Sequence, residues 1–99
     1  MQLKANSVVE LPLIIENEVL PLLRKQKGLC DEISFVSPER SAAVSISLWD
    51  TREDAEAYNL IGYPEVLRTL SRVLEGTPTV STFETVTSTF HKAATARLA

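Results

Sequence analysis

The stretch LCDEISFVSPERSAAVSISLWD, residues 29–50, constrains the chain more than any other. Two runs of alternating residues flank a Pro38-to-Ser41 segment rich in turn formers. That pattern predicts a hairpin: strand Leu29 to Ser37, turn Pro38 to Ser41, and return strand Ala42 to Trp49. Side chains on a strand alternate between faces, so the hairpin sorts into two sets. Ile33 and Phe35 make up the first strand's aliphatic set, and Val44, Ile46 and Leu48 the second's. The reverse sets are Cys30, Glu32, Ser34 and Val36, then Ala43, Ser45, Ser47 and Trp49. One face is aliphatic; the other is small and polar, with one large aromatic at its edge.

Helical patterns surround the hairpin. Upstream, Leu11, Ile14, Ile15, Val19, Leu22 and Leu23 recur at helical spacing. Ser7 and Glu10 fit a capping box, and Gly28 fits the left-handed residue that ends a helix. Pro12 and Pro21 each remove a helix donor, so a kink is expected near Pro21. Downstream, Asp50 or Thr51 caps an acidic helix that Gly62-Tyr63-Pro64 divides in two. Its second piece carries the stripe Val66, Leu67, Leu70, Val73 and Leu74, and Gly76 with Pro78 ends it. A last strand is expected from about Thr79 to Thr87. Residues 88–99 form a C-terminal tail with no assigned element.

The order helix, strand, strand, helix, strand is an α+β pattern: a ferredoxin-like βαββαβ protomer with an antiparallel sheet and a short or truncated first strand. Met1 to Ala5 is the expected remnant of that strand, with Leu3 facing the helices. Both helices of such a unit cover one face of the sheet. The aliphatic set is expected beneath them, at roughly 1.5–3 kcal/mol per buried side chain. The small polar face is then left either to water or to a second sheet, in the second case with a cavity between the two sheets.

Ninety-nine residues, 44% of them hydrophobic, make a single domain over 1–99. The net charge of −3 speaks against nucleic acid as a partner. No apolar run approaches the roughly 20 residues that span a bilayer, so no membrane role is expected. The N-terminus lacks the order of a signal peptide, and a cytoplasmic location follows as the default. Cys30 is the single cysteine, which excludes an internal disulfide and a cysteine zinc site. No phosphate-binding loop, nucleophile motif or metal-ligand spacing is present, and no cofactor is expected.

The segments SISLWDTREDAEAYN, YPEVL, EGTP and STFHK, with PLLRKQKG before them, resemble small bacterial proteins of the antibiotic-biosynthesis monooxygenase-like group. That group belongs to the dimeric α/β-barrel superfamily, and the resemblance runs from Leu3 to Lys92. It implies a homodimer whose two sheets form a barrel, a last strand reaching toward the partner, and a pocket between sheet and helices. It also implies a small aromatic or hydrophobic ligand, and cofactor-independent oxygenation in the catalytic form of that reading. Relatives carry a longer first strand before the segment matching LKANS, and this chain departs from them there.

Trp49, Tyr58, Asn59 and Tyr63 are the candidate ligand contacts, set where a strand gives way to an acidic helix. Ser34, Ser47 and Glu84 join them from the polar face, and Glu32 and Glu84 are candidate bases if desolvated. His91 is the single histidine, and its place in the tail suits a surface or dimer contact, with Phe90 as an anchor. Cys30 reads as a small hydrophobe. Glu53, Asp54 and Glu56 read as complements to a helix dipole. The competing reading is a non-catalytic structural or accessory dimer without a ligand pocket.

Overall fold

The computed structural model describes residues 1–89 and 93–99. The expectations for Phe90 and His91 fall outside these residues.

The first helical region is three consecutive segments: α1 (Glu10–Ile14), a π turn (Ile15–Val19) and α2 (Leu20–Arg24). Pro21 has no N–H to donate and its ring crowds the turn before it, and the wider π turn immediately upstream accommodates both. The predicted capping box does not form. No side chain caps the helix start; Ser7 contributes its backbone carbonyl, accepting from the Leu11 N–H at 3.0 Å. Gly28 takes the expected positive φ of 83°.

Strands β1 (Leu29–Ser37) and β2 (Ala42–Trp49) form the predicted hairpin with the predicted bounds. Helix α3 (Arg52–Ala57) follows, capped by the Thr51 hydroxyl, which accepts from the Asp54 N–H at 3.0 Å. A π turn (Tyr58–Gly62) and α4 (Tyr63–Leu70) complete the second helical region, with Pro64 in the first turn of α4. Then come β3 (Ser81–Glu84), shorter than expected, and β4 (Thr95–Leu98), which the sequence pattern left unassigned.

The four strands make one antiparallel sheet in the order β1-β2-β4-β3, compatible with a ferredoxin-like arrangement. In a βαββαβ unit the first strand is central. Here β4 holds that place, and residues 1–3 continue its line. Ser45 exchanges both backbone hydrogen bonds with Ala99, each 2.9 Å. Ala43 does the same with Met1, donating to its carbonyl at 2.8 Å and accepting from its ammonium at 2.6 Å. Ser45 and Ala43 are two residues apart, so the register leaves space for one residue between Ala99 and Met1. Gln2 and Leu3 go on to bridge Ala42 and Leu74.

The assignment of the faces is corrected. The helices cover the small polar face, and the aliphatic face is open. Trp49 is 0% exposed, and Ala43 and Ser47 are buried with it, whereas Ile33 is 50% and Phe35 53% exposed. The reason lies in who supplies the bulk. Leu11, Ile14, Ile15, Val19 and Leu23 descend from the first helical region, Val66 and Leu70 from the second, and Val73 and Leu74 from the turn after it. Small residues on the sheet let these side chains approach closely, and Trp49 fills the wider end.

Candidate functional site

The covered face carries more polar groups than a filled core needs. Glu32 from β1, Ser45 and Ser47 from β2, and Arg97 from β4 sit on adjacent strands in register. Tyr58 and Tyr63 face them from the second helical region, and Ile15, Val19 and Leu23 from the first. These side chains line a cavity of about 30 Å³, roughly the share of one water in the liquid. Met1 and Ala99 lie along its border. A wider hollow of about 550 Å³ opens on the other side of the sheet, between Leu48, Ala96 and residues 84–89. Among the described residues no buried charge borders that hollow, whereas Arg97 lines the smaller cavity.

Arg97 dominates the cavity. It is 4% exposed, and its guanidinium carbon lies 3.8 Å from the centre of the Tyr63 ring and 4.9 Å from that of Tyr58. Its Nε and Nη2 both donate to Asn59 Oδ1, at 3.4 and 3.2 Å. Trp49 stands behind Tyr58, their rings stacked at 5.0 Å. The indole Nε1 donates to the Ser47 hydroxyl at 2.9 Å, and that hydroxyl donates to the Arg97 carbonyl at 3.5 Å. A sheet residue, a helix aromatic and the last strand are thereby tied into one unit.

The π turn sets this geometry locally. It keeps Tyr58, Asn59 and Tyr63 all directed at the sheet, and it brings the backbone at Gly62 against its neighbours. A Cβ at Gly62 would stand 2.7 Å from the Tyr58 ring and 2.8 Å from Gln26 Oε1.

Burial shifts two titratable groups on the lining. It pushes the Tyr58 phenol up to about 12, although the Arg97 charge pulls the other way. It also raises the Glu32 carboxyl above its ordinary value, opposed by the hydrogen bond from Ser34. Ser34 donates to Glu32 Oε1 at 2.6 Å and shares a 2.7 Å hydroxyl contact with Ser45.

Of the residues singled out in the sequence, Glu32, Ser47, Tyr58 and Tyr63 border the cavity. Trp49 and Ser34 lie one contact behind it, and Asn59 reaches it through Arg97. Glu84 is elsewhere, on the exposed β3, with an oxygen 3.7 Å from Arg52. Cys30 points its sulfur at Asp50 Oδ1, 3.4 Å away, and burial and that carboxylate raise its pKa. Arg97 was the residue not foreseen. The period-two pattern Thr95, Arg97, Ala99 was its signal, within a tail too short to read as a strand.

Among the described residues no group of three His, Cys, Asp or Glu side chains is placed to hold a metal ion. No helix among them is long and apolar enough to cross a membrane. The chain matches no family model, no curated protein and no solved structure.

Proposed function

We propose that this chain binds a small aromatic or hydrophobic molecule in the cavity between its sheet and helices. The reading includes a homodimer of the α/β-barrel kind seen in the antibiotic-biosynthesis monooxygenase-like group. The observation that carries it is the buried polar lining. A core that needed only to be filled would close over apolar side chains, at no cost in desolvated charge. This one instead surrounds a small space with an arginine, a glutamate and two tyrosines. The catalytic extension is cofactor-independent oxygenation, in which the substrate supplies the electrons and the protein positions and deprotonates it. Glu32 is the base in that scheme, being a carboxylate on the lining whose pKa burial raises.

The second reading, a dimer without a ligand site, is favoured by one specific observation. The cavity is about 30 Å³, and Arg97, one of its lining residues, lies over Tyr63. A ring-sized ligand requires that side chain to turn away. Trp49 reports on this directly, being stacked on a cavity wall. Titration with hydroquinone and catechol, corrected for inner-filter absorption, is expected to change its fluorescence saturably, with oxygen uptake then testing for turnover. A folded protein whose emission does not respond to either compound would favour the second reading.

A further inference from the structure

Arg97 is an expensive group to bury, and a filled core gives no reason for its place. A guanidinium removed from water is unfavourable unless a charge or a full set of acceptors replaces the solvent. The acceptors here are sparse. Two of its donors, which in parallel would grip both oxygens of a carboxylate, converge on one neutral amide oxygen of Asn59. No Asp or Glu among the described residues lies within 4 Å of it. The two tyrosine faces attract the cation but accept no N–H···O bond.

A separate observation concerns the same space. Tyr63, on the cavity wall, has a buried hydroxyl with no hydrogen-bond partner. A buried donor left unmade costs its full desolvation, so a ligand oxygen within reach would be stabilised by it. Glu32 is the other ionisable side chain of opposite sign on the lining, and Ser34 engages it on the β1 side. Its raised pKa lessens its opposition to an anion.

From the buried, under-paired Arg97 beside the unpartnered Tyr63 hydroxyl we infer that the cavity is a carboxylate site whose ligand is a small aromatic acid. The carboxylate takes the Arg97 fork. Drawn off Tyr63, the guanidinium uncovers a ring face on which the ligand's own ring stacks. This inference rests on the cavity reading above and adds the charge of the ligand to it.

The test is isothermal titration calorimetry with benzoate and with benzamide, its neutral counterpart of the same shape, at fixed ionic strength. Wild-type protein is expected to bind benzoate at least about tenfold more tightly, within the range of a charge-assisted pair. Arg97→Gln is expected to lower benzoate to the benzamide level while benzamide is unchanged, and Arg97→Lys to keep part of the preference. Equal affinity of the wild type for both compounds would overturn the carboxylate site alone. So would binding of hydroxylated aromatics with no binding of benzoate. Binding of none of these compounds would remove the cavity reading as well. If Arg97→Gln loses the near-ultraviolet signal of Trp49 and is unfolded, the wild-type comparison decides.

Discussion

Glu32 shows how a single side chain reports on its surroundings. Burial raises its pKa in the folded state, so the fold favours the protonated form. That preference stabilises the fold fully below the pKa of an unfolded glutamate and is lost as pH rises through the folded pKa. Above it, the ionised carboxylate costs the folded state a constant amount. Glu32→Gln is therefore expected to raise the urea midpoint at pH 7 and to leave it nearly unchanged at pH 4. An equal shift at both pH values would show that the carboxyl's ionisation is not the cause. At this scale the sequence was partly legible. Tyr58, Tyr63 and Ser47, which border the cavity, stood out because aromatics after a strand end, and small residues alternating along it, are local patterns. Arg97 was not, because what makes an arginine unusual is its burial, and burial is a property of the strands beside it.

At the scale of elements, the hairpin was readable to the residue, since alternation and a proline turn are both short-range. Which face the helices would cover was not readable. Alternation yields two sets of side chains, and choosing between them depends on the bulk that distant helices contribute. The prolines were visible as disturbances, and the form of the disturbance, a π turn before each of Pro21 and Pro64, emerges from the packing. The second of these turns leaves no room at Gly62, whose φ of −81° is itself open to any residue. Gly62→Ala is thus expected to act by overpacking against Tyr58 and Gln26, and to cost about 1–3 kcal/mol. Chemical denaturation measures the loss, and a shifted Trp49 emission in the folded variant would place it at the stacked rings.

For the whole molecule, the aliphatic side of the sheet is the feature that asks for a partner. Ile33, Phe35, Val44 and Phe83 are all substantially exposed there, with Ile46 and Leu48 among them partly so. A contiguous apolar face of that kind is unusual on a monomer. A second copy presents the same face and meets it with the same chemistry, in keeping with the proposed barrel. Sedimentation velocity at micromolar concentration is expected to show a dimer, and Phe35→Glu a folded monomer, because the exposed ring contributes little to the protomer's own core. A wild-type monomer under these conditions would remove the dimer from the proposal.

The junction on β2 has a consequence for connectivity. Ala99 and Met1 lie in one line on the same neighbour, a residue's width apart, in the middle of the sheet rather than at its rim. β2 thus meets two separate segments, 95–99 and 1–3, as one continuous neighbour, and loosening either would leave part of its length unpaired on that side.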